Sequence, residues 1–395
     1  MKRFSVIGIS VAAAALIMVG CGSSSSSGPS APSDIKTAAS IDLATVENAM
    51  SLLYNGNIAA ATAGADIKQA IQVQVAAALG SGDYSHSYTT SCAISGSYTY
   101  TESGSHDYPA DGGWTDTYSY SYEYDHCYDN ASTTINGEPV NRYFYNGGYS
   151  YSYSGTYSTD ANLTKQTWQG QDNFSWGYDN NETTTSRTYS RNNSYKQVWE
   201  ADGDYTDATG VPAWSMYTRY YGTDKRVDVD SNGDVIDGDR NTFNRTDKDT
   251  GAQDGSHQKL VRNGFRTEYE TNASGVESMT WNEYFKDFVM ERFESGSEEN
   301  VTVDGTYGTT CLGGTVTFKT DPVVQQNQDD YFDGDGLHGN NVLPYAGIVT
   351  VSGSATASFD ANASNYSTVT IVAPDANATF SRWSDIPVGS CGGMM

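Results

Sequence analysis

Tyrosine occupies every second position in two long segments of this chain, and this alternation constrains the fold more than any other feature of the sequence. One row consists of Tyr118, Tyr120, Tyr122 and Tyr124, and the other of Tyr149, Tyr151, Tyr153 and Tyr157 with Gly155 in register. Because successive side chains of a β-strand point to opposite faces, each row predicts a strand with one packed face and one hydrated face. Tyrosine suits such a face, since its ring packs while its hydroxyl stays in water.

Turn-forming sequences divide the same region into strands. They are Asn136-Gly137, Asn146-Gly147-Gly148, Asn180-Asn181, Asn232-Gly233 and Asn263-Gly264. Their spacing predicts a large curved antiparallel meander over residues 83–300, which places the protein in the mainly β (α+β) class. Residues 281–293 fit a strand or a short amphipathic helix, and we favour the strand.

Residues 34–82 have a different composition and predict an N-terminal helical hairpin. Apolar side chains recur at helical spacing in the first half, at Ile41, Val46, Ala49, Leu52 and Leu53, with Asp42 near the start. Asn55-Gly56-Asn57 interrupts the pattern, and a second helix is predicted over residues 58–79. The apolar surface of this hairpin needs a cover, for which we expect the sheet.

The last part of the chain, residues 301–395, is richer in Val, Thr and Ala and predicts a smaller C-terminal β unit. Strands are expected over residues 314–320, 347–352 and 367–373. The opening of this unit at Cys311 echoes the sequence that begins at Cys92, since in both a Cys precedes a Gly and an alternating strand. This similarity indicates either a weak internal repeat or a recurrent way to fix a first strand.

The N-terminus has the parts of an export signal. Lys2 and Arg3 precede an apolar run over residues 6–19, and Gly20-Cys21 follows it. This run is shorter than the roughly 20 residues of a membrane-spanning helix, and a plain secretory signal would not need the Cys. The segment resembles a bacterial lipoprotein signal (residues 1–20) and a flexible tether (residues 21–33). The resemblance implies lipid attachment at Cys21, and Gly22 implies sorting to the outer membrane.

Four further cysteines predict two disulfides, because an even number in an exported chain is typical of paired thiols. They are Cys92, Cys127, Cys311 and Cys391. Three pairings are possible, and the local one, Cys92–Cys127 with Cys311–Cys391, keeps each bond within one region. By strict alternation Cys127 falls on the face opposite the tyrosine row, so this pairing also predicts that the strand ends or bulges near Asp125.

These features together resemble uncharacterised bacterial outer-membrane lipoproteins with a long Tyr- and Gly-rich β-meander. The resemblance rests on the tether, on the opening at Cys92 and Gly96, on a strand ending in Asp125-His126-Cys127, and on Ile135-Asn136-Gly137. It covers the signal and about the first half of the mature chain. It implies an envelope location and a meander architecture, and no activity.

Charge and missing motifs limit the functional classes. The formal net charge of −26 should repel nucleic acid and anionic lipid surfaces. The sequence has no nucleophile elbow, HExxH or phosphate-binding GxxxxGK[ST] motif, so we do not expect an enzyme.

Residues 228–239 fit either a calcium loop or a β-hairpin. The candidate ligands are Asp228, Asp230, Asn232, Asp234 and Asp239. Oxygens at alternating positions can converge on Ca²⁺, and a glycine permits the sharp bend. However, an EF-hand has a bidentate Glu where this loop has Asp239, and valines flank the Asn-Gly turn on both sides, so the hairpin is favoured. Residues 329–335 form a second acidic loop, for which we expect simple solvation.

We therefore expect a membrane-anchored envelope lipoprotein with a structural or adhesive role, attached through Cys21 and with a protein or glycan partner that the sequence does not identify. One alternative is a carrier of lipid or another hydrophobic ligand, enclosed between sheet and helices. Another is a calcium-dependent glycan-binding surface protein, whose aromatic rings stack on sugars; calcium is the one cofactor that the sequence suggests.

Overall fold

A computed structural model describes residues 28–55, 82–109, 112–135, 138–158, 163–179, 186–202, 214–230, 232, 234–252, 256–295, 298–321, 324–327, 347–361 and 369–380. These residues contain one α-helix, α1 (Leu43–Asn55), and seventeen β-strands. The strands are β1 (Gly82–Ser91), β2 (Ser95–Asp107), β3 (Trp114–Ile135), β4 (Glu138–Ser158), β5 (Leu163–Asp179), β6 (Ser186–Asp202), β7 (Trp214–Val229), β8 (Val235–Gly251), β9 (His257–Thr271), β10 (Glu277–Ser295), β11 (Glu298–Thr309), β12 (Gly314–Thr320), β13 (Val324–Asn327), β14 (Gly347–Ser352), β15 (Thr356–Ala361), β16 (Val369–Val372) and β17 (Asn377–Phe380).

All seventeen strands belong to one open antiparallel meander sheet. Each strand from β1 to β10 pairs with the next one along the chain. Strands β12 and β13 lie end to end along β11, after which β12 pairs with β14 and the meander continues to β17. The seventeen strands therefore fill sixteen positions, which confirms the mainly β meander. The strands that follow residue 301 extend this same sheet.

Several predicted elements have the expected places. β10 includes residues 281–293, so the strand was the correct choice there, and β12 and β14 have the predicted bounds. β16 is shorter than the strand predicted over residues 367–373. The predicted turns at Asn136-Gly137, Asn180-Asn181 and Asn232-Gly233 lie between the end of one strand and the start of the next, β3 and β4, β5 and β6, and β7 and β8. Of these turn residues, the structure describes only Asn232.

Two predicted turns are wrong, because Asn146-Gly147-Gly148 lies inside β4 and Asn263-Gly264 lies inside β9. Each Asn-Gly pair instead faces a β-bulge in the neighbouring strand. Asn146 opposes two residues of β3 that end in His126, and Asn263 opposes two residues of β10 that end in Asp287. An Asn-Gly pair suits both turns and bulges, since Gly adopts positive φ without strain.

The two bulges have the same construction. His126 and Asp287 have left-handed backbones, with φ of 45° and 48°. The backbone N–H of each donates to the Oδ1 of the opposing asparagine, over 3.3 Å to Asn146 and 2.7 Å to Asn263. This side-chain acceptor satisfies an N–H that the bulge removes from the regular ladder. The resemblance placed a strand end at Asp125-His126-Cys127, but β3 continues through the bulge to Ile135.

A glycine on the third strand completes each bulge. Gly96 in β2 and Gly305 in β11 have φ of 79° and 99°, and a Cβ there would collide with the carbonyl oxygens of His126 and Asp287 respectively. Strands β2, β3 and β4 thus correspond to β11, β10 and β9. When the strand register is followed from one bulge to the other, the point midway between them is the Asn193–Gly222 pair, between β6 and β7. The sheet therefore has an approximate two-fold axis along its normal at this pair.

One face of the sheet carries both the tyrosine rows and the hydrophobic core. Opposed residues share a face, and the register links them through Tyr118, Tyr153, Trp168, Gln197, Thr218, Asp247, Arg262 and Phe288. Along this face the side chains change from aromatic, through charged, to apolar. The core lies at the apolar end, where α1 contributes Val46, Ala49 and Met50.

Helix α1 confirms the first predicted helix. Asp42 caps it, since its Oδ1 accepts the N–H of Thr45 over 2.8 Å, and this hydrogen bond lowers the pKa of Asp42. Among the described residues α1 is the one α-helix, so they contain no helical hairpin. The second predicted helix, over residues 58–79, lies outside the described residues. At the end of the predicted tether, the backbone oxygen of Pro29 accepts a hydrogen bond of 2.9 Å from Asn244.

Candidate functional site

The most distinctive surface is a sheet of contacting rings on the face just described. We call the part of this face that belongs to β1–β6 the aromatic face. A continuous path of rings crosses these six strands, with centroid separations of 4.7–5.7 Å between neighbours. The path runs through Tyr88, Tyr100, Tyr122, Tyr149, Phe174, Trp176 and Tyr189. Ring pairs at such distances stabilise the sheet by about 0.5–1.5 kcal/mol each.

The strand register explains why the rings meet. Tyr118 lies opposite Tyr153, Tyr120 opposite Tyr151, and Tyr122 opposite Tyr149. The two tyrosine rows found in the sequence are therefore the two sides of one hairpin, and they face the same way. Their rings are half-buried, although no second layer covers β1–β6 in the part of the chain that the structure describes.

The crowded rings change the chemistry of the tyrosine hydroxyls. Loss of hydration, followed by the charges of nearby groups including Asp116, raises the pKa of Tyr153 to about 12. Desolvation also raises the pKa of Tyr124, Tyr149 and Tyr151. These hydroxyls therefore stay protonated at physiological pH, and the face presents neutral groups that can donate hydrogen bonds.

Amide oxygens without protein partners lie among the rings. Gln166 is only 7% exposed, and no described residue forms a hydrogen bond to its Oε1. In the register it lies between Gly155 and Trp199, and it is two residues from Trp168, whose ring is 5.6 Å from that of Tyr153. Asn193 Oδ1 likewise has no partner within the part of the chain that the structure describes. A buried acceptor of this kind costs about 1–3 kcal/mol unless a ligand or water satisfies it.

The opposite side of the same strands is hydroxyl-rich. It contains a trough of about 510 Å³, lined mainly by Asp83, Ser103, Ser105, Thr117, Ser119, Ser152, Ser154, Thr167 and Gln169. Some of these hydroxyls bond to each other, as Ser103 and Ser119 do over 2.8 Å. This is the hydrated face that the alternation predicted, and it differs sharply from the aromatic face.

A charged cluster separates the aromatic face from the core. Asp247 accepts hydrogen bonds from Arg245, over 2.7 Å to Nη2, and from Arg262, over 3.0 Å to Nε. Burial alone would raise the pKa of Asp247, but these two guanidinium groups outweigh burial and lower it. Asp249 lies between Met216 and Leu260 in the register, and burial, followed by the charge of Asp247, raises its pKa to about 7.

The predicted calcium ligands are placed in a hairpin between β7 and β8. The carboxylate of Asp228 accepts hydrogen bonds from both Nε of Arg187, over 2.6 Å, and Nη1 of Arg226, over 3.0 Å. Nε of Arg226 also donates to Asp239. These arginines neutralise the acidic side chains that Ca²⁺ would need.

The side chain of Asp230 holds the turn itself. Its Oδ1 accepts the backbone N–H groups of Asn232, over 2.8 Å, and Asp234, over 3.0 Å. Such a side-chain-to-backbone pattern stabilises a tight turn. The geometry therefore favours the hairpin, and calcium binding stays a prediction. The second acidic loop, residues 329–335, lies outside the described residues.

The predicted Cys92–Cys127 disulfide is confirmed, with the two Cα atoms 5.5 Å apart. The bulge at Asp125-His126 turns Cys127 onto the tyrosine face, as the parity argument required. Cys311 is also disulfide-bonded, whereas Cys391, its predicted partner, lies outside the described residues. Across the described segments, the one group of three metal-ligating side chains is Cys92, Cys127 and Asp129, and its sulfurs form the disulfide.

Three residues of interest were not singled out from the sequence. Gln166 and Trp168 follow the same alternation as the tyrosines, which was the signal that could have found them. Asp249 had no local signal, because its environment is built by strands β7 and β9. Cys21 and the export signal lie outside the described residues. Within the described ranges, no helix is long and apolar enough to cross a membrane.

Comparison of the chain with protein-family models, with curated proteins and with solved structures gives no match.

Proposed function

We propose that this protein is a non-catalytic, adhesive lipoprotein of the cell envelope, anchored in the outer membrane through Cys21, and that its aromatic face binds neutral polysaccharide. The single observation that carries this proposal is the connected, half-exposed ring surface of β1–β6. Contiguous exposed apolar surface of this kind on a protein marks an interaction site. Flat rings with interspersed hydrogen-bonding groups suit flat sugar rings, which are apolar on their faces and polar at their edges.

Charge restricts the ligand further. The chain has a formal net charge of −26, so anionic polysaccharides and nucleic acid would be repelled. The protonated tyrosine hydroxyls instead offer neutral hydrogen-bonding groups to sugar hydroxyls. These groups favour an uncharged glycan. Calcium is not part of this proposal, because arginines engage the candidate ligands Asp228 and Asp239.

The carrier alternative has less support. The apolar end of the sheet is filled by side chains of α1 and of the segment before it, including Ile41, Val46 and Met50. The 510 Å³ trough on the other face is lined by hydroxyl groups and is unsuited to a hydrocarbon.

Isothermal titration with neutral hexasaccharides tests the proposal. The probes are β-1,4-linked glucose, β-1,4-linked N-acetylglucosamine and α-1,4-linked glucose, with a sulfated polysaccharide as the anionic control. At least one neutral probe should bind, and Trp168→Ala should weaken that binding about tenfold, equivalent to about 1.4 kcal/mol. Ser152→Ala, on the hydroxyl face, should change it less than twofold. Failure of all three neutral probes, or equal effects of the two substitutions, would refute the proposal.

A further inference from the structure

The first strand of the sheet is an open edge. β1 pairs with β2 on one side, and no pairing on its other side occurs among the residues that the structure describes. All ten residues of β1 are exposed, including Tyr84 and Tyr88, each 40% exposed. The other edge strand, β17, is much shorter, at four residues. β1 is therefore the longer of the two edges at which another strand could add.

The outward-pointing backbone groups of β1 can be assigned from one hydrogen bond. Cys92 N–H donates to the Gly96 carbonyl over 3.0 Å, and the β1–β2 register continues from this pair without a shift. Hydrogen-bonded pairs alternate along an antiparallel ladder, so the even-numbered residues of β1 bond to β2. The N–H and C=O groups that point away from β2 belong to Asp83, Ser85, Ser87, Thr89 and Ser91.

This edge lacks the features that usually prevent strand addition. β1 contains no Pro, no Lys and no Arg, its one carboxylate is Asp83, and it has no bulge. Natural edge strands are normally shortened, charged or bulged for this purpose. In addition, the Cys92–Cys127 disulfide ties the end of β1 to β3. The edge is thus long, nearly uncharged and held in place, which lowers the entropy cost of pairing.

We propose that β1 pairs antiparallel with β1 of a second copy of this chain, with His86 at the two-fold axis. In this register Tyr84 lies opposite Tyr88 of the second copy, and Ser85 lies opposite its Ser87. Asp83 lies opposite Thr89, so no two carboxylates face each other. The strand is therefore self-complementary: aromatic residues meet on one face, hydroxyls meet on the other, and the outward N–H groups find carbonyl partners.

The pairing joins the aromatic faces of both copies into one surface. Tyr88 already contacts the ring of Tyr100, 5.4 Å away, so the path of rings would continue across the new strand pair. A single strand pair buries less than the roughly 1,000 Å² of a stable interface. Lipid anchors would raise the effective concentration of the two copies. This step rests on the proposed function, because the lipid anchor is part of it. In solution the dimer is accordingly weak, so a covalent trap is the right assay.

Cysteine cross-linking in the full-length Cys21→Ser protein tests the pairing. In the proposed dimer, His86 lies opposite His86 of the second copy in a non-hydrogen-bonded pair, where Cα atoms are about 4.5 Å apart. This distance is within the range of a disulfide. Under mild oxidation, His86→Cys should give at least fivefold more covalent dimer than Ile236→Cys, a control whose native residue is 42% exposed and lies in the interior strand β8. The products are measured on non-reducing gels.

A proline substitution distinguishes strand pairing from random collision. Ser87→Pro removes an outward N–H and leaves the β1–β2 ladder intact, so it should reduce the His86→Cys dimer to the level of the control. Circular dichroism and a retained Cys92–Cys127 disulfide verify the fold. Equal cross-linking by the His86 and Ile236 variants, or no effect of Ser87→Pro, would overturn the proposal. No saccharide is present in this assay, so its failure leaves the proposed glycan binding unaffected.

Discussion

Asp249→Asn should make the protein more stable at alkaline pH, which is unusual for the loss of an acidic side chain. Asp249 lies on β8 between Met216 and Leu260, and Leu260 is 2% exposed. Desolvation, followed by the charge of Asp247, raises the pKa of Asp249 to about 7, although the charges of Arg245 and Arg262 partly lower it. Ionisation of Asp249 in the folded state is therefore costly.

The sign and size of this change in the free energy of unfolding follow from proton linkage. The folded protein holds the Asp249 proton up to a pH of about 7, whereas the unfolded chain loses it near a pH of 3.8. Between these values the native state binds more protons, so the contribution of Asp249 to stability falls as pH rises. A difference of about three pKa units corresponds to at most about 4 kcal/mol. Asp249→Asn keeps the shape and removes this loss.

Urea denaturation from pH 4 to pH 9 measures the effect. Relative to the wild type, Asp249→Asn should have a similar free energy of unfolding at pH 4 and a higher one, by up to about 4 kcal/mol, above pH 8. Asp247→Asn is the matched control, two residues away on the same face. Its pKa is lowered, so the stability that it contributes is present at neutral pH and is lost in acid.

The control variant, Asp247→Asn, should therefore lower the free energy of unfolding at neutral pH instead of raising it. Asp247→Asn leaves Arg262, which is 5% exposed, without its carboxylate and should cost about 3–5 kcal/mol at pH 7. A stability difference between Asp249→Asn and wild type that does not change with pH would show that Asp249 is hydrated. A loss of stability in this variant above pH 8 would also refute the reasoning.

Three other outcomes test single features of the chain. Cys21→Ser should move the protein from the membrane fraction to the soluble fraction, and continued membrane fractionation would contradict lipid anchoring. Replacing both Cys92 and Cys127 with Ser should lower the free energy of unfolding by about 2–4 kcal/mol in urea, because the unfolded chain regains freedom; an unchanged value would show that strand pairing alone constrains this loop. Asp230→Ala should lower the melting temperature equally with Ca²⁺ and with a chelator, since Asp230 accepts N–H groups of the turn; saturable calcium binding in calorimetry, lost in the variant, would instead establish a calcium site.

Alternation was sufficient to predict several of the strands, because the side chains of a half-buried strand repeat every two residues whatever its partner is. The row from Tyr118 to Tyr124 lies in β3, and the bounds of β12 and β14 match the predicted ones. The position of Cys127 predicted that the strand ends or bulges near Asp125, and a bulge is present there. Local pattern also predicted α1, with Asp42 near its start, and the structure adds that Asp42 caps the helix.

Non-local contacts account for what the sequence did not show. Asn146-Gly147 and Asn263-Gly264 have the composition of turns, and only the bulges on neighbouring strands reveal their different role. Asp228 has the spacing of a calcium ligand, but Arg187, 41 residues earlier in the chain, occupies its carboxylate. Gln166 is buried by strands on both sides of it. Each of these features depends on strand pairing, which residue spacing along the chain does not encode.

The approximate two-fold axis of the sheet provides an internal comparison for the aromatic face. It relates the Tyr98–Tyr124 pair, with rings 5.7 Å apart, to the Tyr307–Phe285 pair, with rings 5.1 Å apart. Tyr307 and Phe285 are 4% and 2% exposed, and they belong to the core that α1 joins.

The two pairs thus share a backbone frame but differ in what covers them. Tyr98 and Tyr124 are only half-buried, because no described element takes the place of α1 over them. On one half of the sheet the ring surface is used for folding, since it belongs to the core that α1 and the segment before it join. On the other half an equivalent surface stays accessible, and its rings owe their order to each other and to the strands. A ligand with flat apolar faces would cover this half as α1 and the segment before it cover the first, which is the physical basis for proposing that the aromatic face binds a glycan.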